Sequence, residues 1–357
     1  MTEEKEAFLK MSKMIGERFD LIQAAGGNTS VKLSDGSMLI KASGHALSDM
    51  DYEKGFAKIN YKKLENIFEN EEIKRIDSKR EKEKKAKLFL SEVVAENSPR
   101  PSIETFMHCL LFKYTLHAHP ILVNSLACRS DAELIFSELF PESLFIEYKT
   151  PGIELSLEIF KKIESYRGEK NKLPHLVFLK NHGVIISNDN PDILLETCDY
   201  VNKRVEDYLS VDFSRYRMTN YVSEKINKFS EGHMVSMISD DKVIIDLLSS
   251  NPGLINEPPF CPDDYVYFGF RPLKVLEDLN EEIENYLRLY KEVPKVLYFQ
   301  GEVYCIAKNV KKAKEVEEVF KFHLLALLHA KKNIEFLNKE ELHYLANWEA
   351  EKFRKNL

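Results

Sequence analysis

The sequence predicts an α/β protein, and three observations lead to this class. Short runs rich in Val, Ile, Leu and Phe alternate with amphipathic helical patterns. Glycine-containing turns, such as GGNTS and NHGV, separate the apolar runs. The order strand, turn, strand, helix occurs twice, once from Leu173 and once from Val293. With 357 residues, the chain is long enough for one large domain or two medium ones.

The N-terminal part begins with a predicted helix over residues 3–19, in which Phe8 and Met11 recur at helical spacing. A glycine turn ends this helix, and residues 31–40 then predict a hairpin around a Ser-Asp-Gly turn. Residues 65–87 are dense in Glu, Lys and Arg. This composition predicts a solvated helix or a mobile insertion outside the core.

Two elements are predicted in the middle of the chain. Residues 101–115 have the pattern of an amphipathic helix, whose start Pro101 and Ser102 can cap. Residues 116–128 predict a short strand that runs directly into a helix.

The following segment predicts buried strands. Residues 174–187 are mostly Val, Ile, Leu and Phe on both sides of a turn at Asn181, His182 and Gly183. A helix is expected next, from about residue 191 to residue 209.

A break rich in Pro, Asn and Gly at residues 251–259 predicts a domain boundary. We therefore expect a first domain over residues 1–250 and a C-terminal α/β unit over residues 251–357. The second strand-turn-strand-helix segment lies in the C-terminal unit and lacks the Asn-His pair of the first. Its turn is also shorter where the histidine would lie. This pattern indicates either a degenerate repeat with a structural role or two similar strand-helix units that arose by chance.

Charge and cysteine content favour a small-molecule partner. The formal net charge is −7, and basic residues are spread along the chain, which argues against nucleic acid or a membrane surface as a partner. The five cysteines are odd in number and form no Cys-x-x-Cys pair, so neither a disulfide framework nor a thiolate metal site is indicated. The N-terminus lacks an apolar signal core, and we expect a cytoplasmic protein.

Three histidines form the main candidate site. Side chains two apart on a strand point to the same face, so His117 and His119 can bind one metal ion together. His182, in its turn, can supply a third imidazole. Three neutral nitrogen ligands leave one coordination position open for substrate oxygens, and Glu104 lies on the helix just before the histidine strand.

Two short motifs are candidates for phosphate binding. AAGGNTS and KASGH are small, polar and glycine-containing, which lets backbone N–H groups approach an anion closely. On composition alone, ordinary turns are the favoured interpretation of both.

Taken together, GGNTSVK, KASGH, PSIETFMH, LHAHP and KNHGVI resemble, in this order, the class II aldolase/adducin family. The resemblance covers about residues 10–210. The later FCPDDYV and PKVLYFQGEVYCIAKN are similar to the aldolase half of bacterial bifunctional rhamnulose-phosphate aldolase/alcohol dehydrogenases. The ordered set is more specific than any one motif.

The resemblance implies a three-layer α/β/α sandwich that forms a homo-oligomer, usually a cyclic tetramer. It implies zinc, or another divalent ion, bound by His117, His119 and His182, with Glu104 as the catalytic acid/base. The positions that it implies for substrate phosphate binding are Asn28, Thr29, Ser43, Gly44 and Ser102. Two departures are visible: Ile103 replaces a second serine, and no tyrosine lies between His119 and Tyr148 to serve as general acid.

The leading hypothesis from the sequence is a metal-dependent lyase. It would cleave a ketose phosphate by retro-aldol chemistry through a metal-stabilised enediolate. An epimerase or decarboxylase that uses the same metal site is the enzymatic alternative. A non-enzymatic, adducin-like binding module is the alternative of another class, and it predicts loss of the metal ligands.

Overall fold

The computed structural model describes residues 2–230, 232–330 and 333–347. These residues divide into two compact units, the first ending at Phe213 and the second beginning at Ser214. None of the helices within these ranges combines the length and apolarity that crossing a membrane requires.

The first unit is built on seven strands and nine α-helices within the described residues. The strands are β1 (Asn28–Lys32), β2 (Ser37–Lys41), β3 (Phe56–Asn60), β4 (Tyr114–Ala118), β5 (Leu144–Ile146), β6 (Leu176–Leu179) and β7 (Gly183–Asn188). The helices are α1 (Glu3–Gly16), α2 (Tyr61–Glu65), α3 (Glu71–Lys74), α4 (Lys79–Val93), α5 (Thr105–Cys109), α6 (Ile121–Ala127), α7 (Ala132–Leu139), α8 (Ile153–Lys170) and α9 (Pro191–Leu209).

The seven strands form one sheet in the order β3-β2-β1-β4-β7-β6-β5. Only the β5–β6 pair is parallel, and the other neighbours are antiparallel. Since β1 pairs with β4 and β4 pairs with β7, the three segments that carry the candidate residues lie side by side at the centre of the sheet.

Helices cover both faces of this sheet, which confirms the predicted three-layer α/β/α class. On one face, apolar side chains of α1, α6, α7 and α9 pack against alternate strand residues such as Val31 and Leu116. On the other face, α2, α4, α5 and α8 pack against the intervening strand residues, including Ile40 and Ile185. This alternation follows from the two-residue period of a strand.

The charged segment over residues 65–87 is largely helical and exposed, as one of its two predictions stated, but it also adds side chains to the core. It forms short helices, and Ile67, Phe68 and Ile73 are fully buried in a cluster beneath α4 and α8. The charged residues around them are mostly exposed. The segment therefore lies on the surface but adds a few apolar side chains to the core, which its average composition concealed.

The helix predicted over residues 101–115 is much shorter than expected. Only Thr105–Cys109 is helical, because strand β4 already begins at Tyr114. Ser102 does act near the helix start, where its Oγ accepts a hydrogen bond from the backbone N–H of Glu104 at 3.3 Å.

The second unit carries a four-stranded sheet. Its strands are β8 (Val235–Ile238), β9 (Leu273–Lys274), β10 (Val296–Phe299) and β11 (Glu302–Ala307), in the order β8-β11-β10-β9. Its helices are α10 (Ser214–Asn227), α11 (Lys242–Ser250), α12 (Pro262–Phe268), α13 (Leu279–Tyr290), α14 (Val310–Ala330) and α15 (Lys339–Asn347).

The division between the units lies earlier in the chain than the predicted boundary at residue 250. Strand β8 is hydrogen-bonded to β11, and α10 packs against β8 through Ser223 and Ser236. These contacts place residues 214–250 with the C-terminal sheet. The Pro- and Gly-rich stretch at residues 251–259 lies inside the second unit and includes a 3-10 helix over Pro252–Asn256.

Candidate metal centre

Strand pairing brings the three predicted histidines together. His117 lies in β4, and His119 follows two residues later at the end of the strand. His182 lies in the turn between β6 and β7, and β7 is paired with β4 so that Ala118 is opposite Val184. The imidazoles therefore meet at one edge of the sheet, although His182 lies far along the chain from the other two.

The three ring nitrogens converge as metal ligands do. Nε2 of His117 lies 3.0 Å from Nε2 of His119 and 3.3 Å from Nε2 of His182. One nitrogen from each ring can be chosen so that all three lie within 4.8 Å of one another. Ligands about 2.0–2.1 Å from a tetrahedral zinc ion are about 3.3–3.4 Å apart. The donor set and its spacing fit a divalent ion.

The tautomer of His117 is fixed by the backbone. Its Nδ1 lies 3.1 Å from the carbonyl oxygen of Val184, which can only accept a hydrogen bond. Nδ1 therefore carries a proton, and Nε2 is the nitrogen that faces the other imidazoles. This is the outer hydrogen bond that usually orients a metal-binding histidine.

Burial favours the neutral, metal-binding form of a second histidine. Burial lowers the pKa of His119 to about 3, and the neighbouring His117 and His182 lower it further in the same direction. At neutral pH the imidazole of His119 is thus uncharged and free to donate a lone pair.

Glu104 lies against the imidazole cluster. Its Oε1 is 3.1 Å from Nε2 of His182 and 3.5 Å from Nε2 of His117, and the residue is only 8% exposed. Burial raises the pKa of Glu104, but the charge and hydrogen bonds of His117 and His182 outweigh it and hold the pKa well below its ordinary value. The side chain is therefore an ionised carboxylate directly beside the ring nitrogens.

Two of the predicted anion-binding residues adjoin Glu104. Asn28 lies opposite His117 in the β1–β4 pairing, so both side chains lie on the same face. The Nδ2 group of Asn28 donates a hydrogen bond to Oε2 of Glu104 at 2.6 Å, and it lies 3.4 Å from Oγ of Ser102. Asn28, Ser102 and Glu104 thus form one polar group beside the histidines.

Ser43 and Gly44 form an exposed loop after β2. The loop is joined to the segment before Glu104, since Ser43 N–H donates to the carbonyl of Arg100 at 2.8 Å. Gly44 has φ +82°, and no atom lies within 4 Å of the place where a Cβ would be. Its backbone is therefore open to a ligand, next to the segment that leads to Ser102.

Thr29 is not brought to this group. It points to the opposite face of the sheet, where its fully buried hydroxyl lies 2.6 Å from Oγ of Ser12 in α1. In a strand, consecutive side chains point to opposite faces, so Asn28 and Thr29 cannot both face the same site. The side chain of Thr29 connects the sheet to α1.

Lys41 is a charged residue that the sequence reasoning did not identify. It is only 4% exposed, and its Nζ donates to the carbonyl oxygens of Ala25 and His45 at 2.9 and 2.8 Å. Burial lowers its pKa, while the negative charge of Glu104 acts in the opposite direction. A lysine inside a small polar motif, KASGH, was the available signal. Its ammonium group joins the loop before Asn28 to the loop of Ser43 and Gly44.

Two glycines allow the strands to approach at the site. A Cβ on Gly27 would lie 2.7 Å from the carbonyl oxygen of His117, and φ at this glycine is +61°. A Cβ on Gly183 would lie 2.2 Å from the carbonyl oxygen of Ala118. Any larger residue at either place would push β1 or β7 away from β4 and separate the candidate ligands.

Comparison with known proteins gives one family match. The model of the class II aldolase and adducin N-terminal domain matches residues 6–209, which is more than half of the chain. No curated protein sequence matches the chain.

Several solved structures are similar at low sequence identity. The N-terminal class II aldolase domain of a conserved protein from Thermoplasma acidophilum is 22% identical, with a TM-score of 0.49, and the match covers 58% of this chain and 94% of that one. A sugar-phosphate aldolase from Thermotoga maritima is 14% identical, with a TM-score of 0.40, over 58% and 96% of the two chains. L-fuculose-1-phosphate aldolase from Thermus thermophilus is 17% identical, with a TM-score of 0.35, over 57% and 90%.

Proposed function

Because the chain belongs to the class II aldolase and adducin family, we propose that it is a zinc-dependent aldolase that cleaves a ketose phosphate to dihydroxyacetone phosphate and an aldehyde. His117, His119 and His182 hold the ion in this proposal. The observation that carries it is the convergence of three imidazole nitrogens beside one ionised, buried carboxylate.

The three imidazoles would hold the divalent ion, which would supply a Lewis acid for negative charge on substrate oxygens. Glu104 is the proton carrier. In the addition direction its carboxylate removes a proton from the hydroxymethyl carbon of dihydroxyacetone phosphate, and in cleavage it returns that proton. Its low pKa keeps it in the basic form before substrate binds.

Asn28, Ser43, Gly44 and Ser102 bind the substrate phosphate in this proposal. The loop of Ser43 and Gly44 is exposed, and Ser102 lies beside it on the way to Glu104. Lys41 adds a positive charge to the same region. The polar groups that would hold the phosphate and the carboxylate that would move the proton are therefore neighbours.

We also propose a cytoplasmic location and an oligomeric state for the enzyme. All five cysteines are free, and three of them are buried, as in proteins of a reducing cytoplasm. We further propose a homo-oligomer, with a tetramer expected, which light scattering of the purified protein would measure.

The first test is the metal content of the purified protein by elemental analysis. We expect about one zinc ion per chain in the wild type, and loss of it in H117A and H182A, since removing one of three ligands leaves the ion weakly held. H329A removes an exposed histidine of the second unit and is the matched control. Protein that neither contains metal nor takes it up on reconstitution would contradict the proposal and favour a binding role.

The second test is cleavage. Ketose phosphates are screened for release of dihydroxyacetone phosphate by the zinc-loaded protein. Conversion of a sugar phosphate into an isomer without cleavage, or release of carbon dioxide, would replace the aldolase proposal with an epimerase or a decarboxylase on the same site.

A further inference from the structure

A chain of hydrogen bonds extends behind Glu104, away from the histidine cluster. Asn28 Nδ2 donates to Oε2 of Glu104 at 2.6 Å, and Asn28 Oδ1 is hydrogen-bonded to Nε2 of His108. Nδ1 of His108 is in turn 2.8 Å from Oγ of Ser30. Each of these four residues is at most 8% exposed. The chain is therefore shielded from water along its whole length.

The secondary structure explains why these residues meet. Asn28 and Ser30 are two apart in β1, so both side chains lie on the face that α5 covers. His108 lies four residues after Glu104, one helical turn away, on α5. The helix therefore presents the carboxylate and the imidazole to the same strand, one to each end of the Asn28 amide.

The chemistry fixes the direction of every hydrogen bond. Nδ2 of Asn28 donates to Oε2 of Glu104, so the amide oxygen of Asn28 faces His108. That oxygen can only accept, so Nε2 of His108 carries the proton. Nδ1 then has a lone pair and accepts from the hydroxyl of Ser30. With the amide of Asn28 reversed, two oxygens would face each other across a buried contact.

The protonation state of His108 is consistent with this direction. Burial lowers its pKa to about 3, and the nearby His117 lowers it further. A neutral imidazole has one N–H and one lone pair, and here each has a buried partner of the opposite kind.

We propose that His108 is a positioning residue that fixes the Asn28 amide so that its N–H₂ group faces Glu104 and the substrate. The inference rests on the proposed function, since it assigns His108 a part in orienting the proton carrier. The imidazole of His108 is hydrogen-bonded to Asn28 and Ser30, and it acts through the Asn28 amide in this proposal. Residues that orient a catalytic group in this way typically change activity by roughly tenfold to a hundredfold when they are removed.

The test compares H108Q and H108N, which have the same functional group at different reach. The longer glutamine amide can place an N–H group where Nε2 of His108 lies, whereas the asparagine amide is too short to reach Asn28. Each zinc-loaded variant is assayed for exchange of the hydroxymethyl proton of dihydroxyacetone phosphate with deuterium oxide, followed by loss of the proton signal in NMR. Zinc content and thermal unfolding are measured on the same samples.

We expect H108N to slow the exchange by at least about tenfold, while H108Q stays within about threefold of the wild type. The loss should appear in kcat, with little change in KM or in zinc content. Equal exchange rates in H108N and the wild type would overturn the inference. Equal losses in both variants, accompanied by matching losses of thermal stability, would overturn it as well, because His108 would then serve only the fold.

A separate readout distinguishes failure of the proposed function. If the wild type catalyses no exchange, the aldolase proposal fails, and the side-chain amide signals of Asn28 in ¹⁵N-labelled protein decide about His108. We expect these signals to be protected from solvent in the wild type and H108Q and unprotected in H108N. Protection in all three proteins would overturn the inference.

Discussion

The two units share a strand plan but differ in the side chains placed on it. In the first unit, strands β4, β7, β6 and β5 lie in this order, with one parallel pair at β5–β6. In the second unit, β8, β11, β10 and β9 lie in the same order, with one parallel pair at β9–β10. A long helix follows the hairpin in both, α9 in the first unit and α14 in the second. This shared order supports our interpretation of the C-terminal unit as a degenerate repeat.

The strand registers relate individual positions in the two units. Val184 pairs with Ala118 in the first unit, and Val303 accepts a hydrogen bond from Ser239 N–H in the second. Ile185 follows Val184 and pairs with His117, while Tyr304 follows Val303 and pairs with Ile238, so Ile238 takes the position of His117. The connecting turn has three residues at 180–182 but only two at 300–301, so the position of His182 is lost.

An arginine lies at the corresponding edge of the second sheet. Asp240 takes the position of His119, and its Oδ1 is 2.8 Å from Nη1 of Arg215. Nη2 of Arg215 is 2.8 Å from Oε2 of Glu302, at the start of β11. In the first unit imidazole nitrogens converge on a place where a cation fits, whereas in the second unit a side-chain cation already lies between two carboxylates. The shared strand order thus permits a cation at this edge of either sheet. The side chains at the edge decide whether the cation is a metal ion or an arginine.

The largest difference between the two units is expected in the rate of proton exchange when one carboxylate is removed from each. We expect E104Q to lower the rate of proton exchange by about 10²–10⁴, the usual contribution of a general acid or base, with zinc content unchanged. E302Q is the matched control and should leave the rate within about twofold of the wild type. A comparable loss of activity in E302Q would show that the second unit takes part in catalysis.

Removal of the metal should lower the thermal stability of the first unit and leave that of the second unit unchanged. Zinc that binds only the folded first unit stabilises it by about 2.7 kcal/mol when free zinc is at a hundred times Kd. Differential scanning calorimetry with and without chelator should therefore shift the transition of the first unit and leave that of the second unchanged. Shifts of equal size in both transitions would contradict the assignment of the metal to one unit.

A substitution at Lys41 concerns the strands of the first unit that have no counterpart among the described strands of the second unit. Strands β1, β2 and β3 extend the first sheet beyond the shared plan, and Lys41 ends β2. We expect K41M to weaken binding of inorganic phosphate to the zinc-loaded protein about tenfold, because one buried positive charge is lost near the anion. K41R keeps the charge and should bind more tightly than K41M. Calorimetric titration would measure both, and equal binding in all three proteins would exclude Lys41 from anion binding.

The smallest effect is expected from Arg215. R215M leaves Asp240 and Glu302 without their shared cation and should lower the free energy of unfolding of the second unit by about 1 kcal/mol, since both ion pairs are partly exposed. Zinc content should be unaffected. Chemical denaturation would measure the change, and a loss of zinc in R215M would disprove the separation of the two clusters.

Much of the fold was predictable from the sequence because local patterns and tertiary structure agreed. The hairpin of β1 and β2 has its turn at the Ser-Asp-Gly motif, and α9 spans residues 191–209 as the helical period predicted. The family match confirms the resemblance that the ordered motifs indicated. The similarity to the aldolase half of bifunctional enzymes stays a prediction, as do the individual roles of the site residues.

Other features depend on contacts that sequence patterns do not contain. Thr29 was predicted with Asn28 as a phosphate-binding position, but the strand geometry turns its side chain to the other face. The burial of Ile67 and Phe68 was hidden by the charged residues around them. Lys41 was missed because its partners are backbone carbonyls, which no residue pattern identifies. The position of the unit boundary follows from the pairing of β8 with β11, which is a long-range contact.

The distance along the chain between the candidate ligands has a consequence for the order of events during folding. His117 and His119 are neighbours in sequence, but His182 joins them only when β7 has paired with β4 across the intervening segment. Long-range strand pairing of this kind is a slow step, and a chain that has not completed it offers an ion only two imidazoles. Metal capture therefore follows sheet formation, so zinc should slow unfolding while leaving the refolding rate unchanged.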